Sequence, residues 1–161
     1  MRRILVTLAA AAVVAGSIAV VPAAHAAVDV TVDSVTVAPP KAGKKANVIV
    51  KATLDQQQYA DISVDVTLSG FEAASMFPFG EGACPAKLFQ VKVPATVVQC
   101  GWTQEGKDAI LSMAIAGTFA KSSLQIKVRK AAVSTPVKAG DYKVTMSSWA
   151  FSPISTTVTI K

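Results

Sequence analysis

Apolar and polar residues alternate with a period of two along most of this chain. The clearest example is residues 61–68, where one parity holds four apolar side chains, Ile62, Val64, Val66 and Leu68. Because successive side chains of a β-strand point to opposite faces, this pattern predicts a strand with one buried face. No segment keeps the 3.6-residue period of an amphipathic helix, so the chain is predicted to be all-β.

Nine segments fit a strand pattern, and Gly, Pro and charged residues separate several of them. They are residues 28–37, 46–54, 61–68, 88–93, 96–100, 109–118, 123–129, 140–148 and 154–160. Seven to nine short strands at this spacing are typical of an antiparallel β-sandwich.

In two of these segments, the apolar residues shift from even-numbered to odd-numbered positions partway along the segment. In the first, Val32 lies on one parity and Val35 on the other. A β-bulge near Asp33, or a change of sheet there, would keep both groups buried. A second break falls between Met146 and Trp149, and it indicates that the regular ladder ends and a loop begins.

The first 26 residues have the pattern of a secretory signal peptide. A basic start, Met1-Arg2-Arg3, precedes an uncharged apolar run over residues 4–21; Pro22 and Ala24-His25-Ala26 follow. An uncleaved membrane anchor is the alternative, because such a run can just span a bilayer. The proline and the Ala-x-Ala sequence favour cleavage after Ala26. The prediction is a leader over residues 1–26 and one secreted domain over residues 27–161.

Loss of this leader changes the chemistry available to the chain. The only histidine leaves with it, and loss of Arg2 and Arg3 lowers the formal net charge from +6 to +4. Without histidine, Ser-His-Asp and Cys-His catalysis and histidine metal sites are excluded. The sequence also has no calcium-loop motif and no cysteine pair at metal spacing. We therefore predict no enzymatic activity, no cofactor and no metal ion.

The two cysteines, Cys84 and Cys100, are predicted to form a disulfide, as expected in a secreted chain. A loop of this length stabilises the folded state by about 3 kcal/mol in the chain-entropy account. Between them, residues 91–93 and 96–98 flank Pro94-Ala95 and are predicted to form a hairpin. The bridge would attach that hairpin to the long segment before it.

Residues 70–85 form a long segment that contains three phenylalanines and a methionine, although the chain is only 6% aromatic. Segments this long between strands are often functional. Phe71, Met76, Phe77, Phe79, Trp102 and Trp149 are the candidate contact surface for a protein or polymer partner. The alternative is that the aromatic side chains plug one end of a sandwich and that each tryptophan is a core residue.

Positive charge is concentrated in the second half of the chain. In the later predicted strands, the positions expected to face outward include Lys127, Arg129 and Lys143. These residues are a candidate basic face, which would attract an anionic envelope polymer or membrane lipid. A solvated surface without a partner is the alternative. Nucleic acid is not expected as a partner, because the predicted compartment is extracellular and nearly all the positive charge is lysine.

The C-terminal residues carry a more specific motif. The sequence Gly140-Asp141-Tyr142-Lys143-Val144 is followed, after a loop, by a Thr-rich strand over residues 154–160. This ending resembles the last two strands of bacterial immunoglobulin-like modules. The resemblance implies an immunoglobulin-like sandwich and a structural tyrosine corner, in which the Tyr142 hydroxyl bonds back to the preceding turn. It departs from antibody-type domains, because the two cysteines are too close in sequence to bridge the sheets across the core.

These features favour a secreted, non-catalytic binding module of the bacterial cell surface or extracellular medium. One alternative is a structural or self-associating envelope protein, since edge strands and oppositely charged halves favour head-to-tail contacts. Another is a secreted protein inhibitor that presents the disulfide-linked loop as bait.

Overall fold

The computed structural model describes residues 30–54, 62–117 and 122–161, without the side chains of Leu54, Glu81 and Ser122. The predicted signal peptide, its cleavage site and residues 27–29 lie outside these ranges. The described residues form antiparallel β-structure and no helix. Accordingly, they include no helix of the length and apolarity that crossing a membrane requires.

Twelve strands are present in the described part of the chain. They are β1 (Val30–Ala38), β2 (Asn47–Leu54), β3 (Ile62–Ser69), β4 (Glu72–Ala73), β5 (Phe77–Glu81), β6 (Phe89–Lys92), β7 (Thr96–Glu105), β8 (Asp108–Ala116), β9 (Ser122–Val128), β10 (Val133–Ser134), β11 (Gly140–Ser148) and β12 (Phe151–Ile160). Each of the nine predicted segments overlaps one of these strands, although β7 extends five residues beyond its predicted end. The unpredicted strands are β4, β5 and β10; β4 and β10 are too short for a pattern, and β5 contains a proline and a glycine.

Two sheets contain ten of the strands. The four-stranded sheet has the order β1-β2-β9-β6, and the six-stranded sheet has the order β12-β11-β3-β8-β7-β5. The short strands β4 and β10 pair with each other. Because β2 and β3 belong to different sheets, as do β8 and β9, the chain crosses repeatedly between them.

The apolar faces of both sheets contribute to one hydrophobic core. In β3 the alternating residues from Ile62 to Leu68 are at most 1% exposed, and in β9 the same holds from Leu124 to Val128. The alternation therefore marks one buried face on each sheet. Burial of each such side chain contributes about 1.5–3 kcal/mol relative to exposure.

The parity break in β1 is a β-bulge. The register with β2 shifts between Val32 and Ser34, and β1 pairs with β2 on both sides of the shift. A change of sheet is therefore excluded at this point. The second break coincides with a shift between Met146 and Ser148, but only a two-residue turn follows before β12 begins.

The predicted hairpin around Pro94-Ala95 is wrong. Residues 89–92 pair with β9 in the four-stranded sheet, whereas β7 pairs with β5 and β8 in the six-stranded sheet. A two-residue hairpin turn of the common type requires positive φ at its first position, and proline is restricted to φ near −65°. The chain therefore crosses between the sheets at residues 93–95.

Gly101 in β7 allows β5 to approach closely. Its neighbours Cys100 and Trp102 are buried, so a side chain at 101 would point to the outer face of the sheet. There it would meet the Phe79 backbone, since a Cβ on Gly101 would lie 2.7 Å from both Cα and N of Phe79. Glycine is thus required where the irregular part of β5, between Phe77 and Gly80, lies against β7.

Gly101→Ala is expected to reduce the free energy of unfolding by about 1–3 kcal/mol, because the added methyl group must displace backbone rather than a flexible side chain. Gly80→Ala is the matched control in the same strand pair. A Cβ on Gly80 would have no neighbour within 4 Å, so a change within about 0.5 kcal/mol is expected. Urea unfolding measures both values, and equal losses would contradict this account of Gly101.

Candidate functional site

Two residues of the predicted aromatic surface lie in the core. Phe71 is 1% exposed and Trp102 is 0% exposed, so neither contributes to an accessible surface. The Phe71 ring packs edge-on against Tyr142, with ring centroids 6.4 Å apart. The Trp102 indole packs against Phe89, and its N–H donates to the carbonyl oxygens of Ala74 and Ala132. For these two residues the core interpretation is correct.

The remaining predicted contact residues are dispersed. Met76 and Phe79 are 58% and 48% exposed beside or within β5, at one edge of the six-stranded sheet. Phe77 is half-buried against Phe89, with ring centroids 6.0 Å apart. Trp149 is exposed in the turn between β11 and β12, near the opposite edge of that sheet. Met76 and Phe79 are therefore the two predicted contact residues that are exposed at the β5 edge, and we call them the β5 patch.

The predicted disulfide is confirmed. Cys84 and Cys100 are bonded, with their Cα atoms 5.1 Å apart. Cys100 lies in β7, and Cys84 lies in the connection between β5 and β6. The bridge therefore fixes this connection to the six-stranded sheet.

The three residues of the predicted basic face do not share one surface. Lys127 belongs to β9 of the four-stranded sheet, whereas Lys143 belongs to β11 of the six-stranded sheet. Because both sheets bury their inner faces in one core, these two outward side chains lie on opposite sides of the fold. Arg129 follows β9 and lines a cleft beside the disulfide.

Strand pairing instead places Lys127 with two lysines that the sequence did not single out. In the four-stranded sheet, register puts Lys51, Gln125 and Lys92 in one row and Ile49, Lys127 and Gln90 in the next. Strands lie about 4.8 Å apart, so the Cα atoms of Lys51 and Lys92 are roughly 10 Å apart. We call Lys51, Lys92 and Lys127 the lysine face.

The lysine face has little opposing charge. Within the described ranges, Asp33 in the β1 bulge is the nearest acid on that side of the sheet by register, and its carboxylate accepts a hydrogen bond from Thr53. Among the described residues, none of the three lysines forms an ion pair. Lys51 and Lys92 are exposed, and Lys127 is half-buried. The face therefore presents three lysine charges with no acidic partner among these residues.

A second cleft, of about 600 Å³, lies at the end of the fold near Tyr142. The Tyr142 hydroxyl donates to the Lys138 carbonyl at 2.8 Å. Its ring covers Gly70, where a Cβ would come within 2.7 Å of the ring and φ is +78°. In the same cleft the Gln104 side chain bonds to the backbone of Phe71 and Ala73. These polar groups are engaged in local structure, which makes the cleft a weaker candidate than the lysine face.

In the described part of the chain, no three His, Cys, Asp or Glu side chains lie close enough to hold a metal ion.

No protein-family model matches the chain, and a search of curated proteins finds no match. Functional inference therefore depends on the geometry of the surfaces described above.

Replacing both Cys84 and Cys100 with alanine is expected to reduce the free energy of unfolding by about 3 kcal/mol, because the open chain gains conformational entropy when unfolded. Urea unfolding of this variant, compared with the oxidised chain, measures the loss. The wild-type chain under reducing conditions is the control and should give a similar value. Unchanged stability after removal of the bridge would contradict this role.

Proposed function

We propose that this chain is a secreted, non-catalytic binding module whose lysine face binds an anionic polymer of the bacterial envelope. The proposal depends on one observation: Lys51, Lys92 and Lys127 are brought together from three strands on one outer sheet face. A rigid sheet holds the backbone of all three in fixed register. Such an arrangement suits a ligand that repeats its negative charge along an extended chain.

The electrostatics support a polymer in preference to a single small anion. Each lysine contributes about 1 kcal/mol beside an anionic surface, so strong binding needs several contacts at once. Gln125 lies between Lys51 and Lys92, and Gln90 lies beside Lys127. Both supply amide groups for hydrogen bonds to oxygen-rich repeats. The row of Lys51, Gln125 and Lys92 runs across β2, β9 and β6, which is the direction in which an extended ligand would lie.

The finer fold assignment also belongs to this proposal. We infer an immunoglobulin-like β-sandwich from two antiparallel sheets that share one core and from the motif at Gly140–Val144. The hydrogen bond from Tyr142 to Lys138 has the form expected of a tyrosine corner. The disulfide is compatible with an extracellular location, and the sequence of residues 1–26 supports export.

Self-association through the β5 patch is a second candidate function. Met76 and Phe79 expose large apolar side chains at the edge of the six-stranded sheet. Edge strands offer unpaired backbone groups, and adjoining apolar surface favours contact with a second copy.

A triple variant of the lysine face is expected to bind poly(glycerol phosphate) about 100-fold more weakly, since three favourable charge contacts are lost. It combines Lys51→Gln, Lys92→Gln and Lys127→Gln. Binding should also weaken for the wild-type chain between about 50 mM and about 300 mM salt, because of screening.

The matched control for the lysine face combines Lys107→Gln, Lys138→Gln and Lys143→Gln. These lysines are exposed elsewhere on the fold, so the control removes the same net charge while leaving the face intact. Its affinity is expected to stay within about threefold of wild type, which corresponds to about two thirds of one lysine contact. An equal loss in both triple variants would show that net charge, and not the lysine face, governs binding.

Met76→Ser with Phe79→Ser is expected to abolish any concentration-dependent dimer, because the variant removes the apolar part of the contact. Sedimentation velocity over a range of concentrations measures this effect. Val137→Ser is the control, since Val137 is 81% exposed outside the β5 patch. A wild-type chain that stays monomeric at every concentration would contradict self-association.

A further inference from the structure

A cleft of about 500 Å³ opens between β6 and the beginning of β7, beside the disulfide. Its volume falls in the range of small-molecule sites. Most of its wall is apolar and includes Phe89, Val91, Val93 and Val97, whereas Gln90 and Thr96 are the uncharged polar residues of its lining. A ligand that fills this space must therefore present a largely apolar surface.

Among the residues that the structure describes, Arg129 is the one charged residue that lines this cleft. Its Nε is buried and has no hydrogen-bond partner. Among the described residues, the Arg129 side chain makes neither a hydrogen bond nor an ion pair. A buried donor without an acceptor is uncommon and destabilising. The planar guanidinium is best satisfied by a carboxylate, which can accept two parallel hydrogen bonds.

The cleft is fixed in place by covalent and backbone bonds. The disulfide attaches one wall to β7. The Arg129 amide donates to the Leu88 carbonyl, and the Phe89 amide donates to the Pro85 carbonyl. A site held in this way loses little entropy on binding.

We propose that this cleft binds a small amphipathic carboxylic acid, with its carboxylate on Arg129 and its apolar chain along the wall formed by β6 and β7. One cation beside a mostly apolar wall matches a ligand with one negative charge and a hydrocarbon body. This site differs from the lysine face, because a polyanion requires several cations and no apolar cavity.

The test uses butanoate, hexanoate and octanoate as probes, with binding to the purified chain measured by isothermal titration calorimetry. Affinity is expected to rise about fourfold for each methylene group that the cleft buries. Octanamide has the same chain without the charge, and it should bind about 10- to 100-fold more weakly than octanoate. Equal binding of octanoate and octanamide would overturn the proposal without any variant.

Arg129→Gln is expected to weaken octanoate binding about 10- to 100-fold while leaving octanamide binding unchanged. Lys130→Gln removes the same charge at the next position, which is exposed, and should change octanoate affinity less than twofold, since an exposed charge outside the cleft contributes little. Similar losses in the two variants would overturn the role of Arg129. No octanoate binding at millimolar concentration, or tighter binding of a short apolar peptide through its C-terminal carboxylate, would overturn the choice of ligand.

Discussion

Burial of one apolar face from each sheet in a shared core is the constraint on which the rest of this structure depends. The four- and six-stranded sheets can share that core only if their other faces point away from it. Trp102 lies in the core because its indole N–H finds two backbone acceptors there. The outer faces and the sheet edges are left to carry charge and exposed apolar groups. All three surfaces to which we assign a role lie in these positions.

The path of the chain from β5 through β6 to β7 creates the edge features. The chain passes from β5 to β6 and on to β7, so it leaves the six-stranded sheet, adds an edge to the smaller sheet and returns. The disulfide fixes the first of these crossings, and Gly101 lets β5 lie close to β7. This passage of the chain from one sheet to the other and back therefore produces both the β5 patch and the cleft beside Arg129.

Sequence reasoning succeeded where the signal is local. Alternation located the nine main strands, and the change of parity between Val32 and Val35 located the bulge in β1. It failed where the outcome depends on which strands are neighbours. The hairpin at Pro94-Ala95 was inferred from proximity in sequence, although β6 pairs with β9. The residues of the candidate basic face are dispersed for the same reason. Alternation shows which side chains of a strand face outward, but it does not show to which sheet the strand belongs.

The sequence by itself determined that the chain is all-β, that Cys84 and Cys100 pair, and that histidine chemistry is absent after residue 26. These properties follow from local alternation and composition. Only the tertiary structure decided that Lys51 and Lys92 join Lys127, and that Arg129 faces a cleft. The physical reason is that strand order is set by burial of the whole core. Residues far apart in sequence become neighbours only when the complete set of strands has paired.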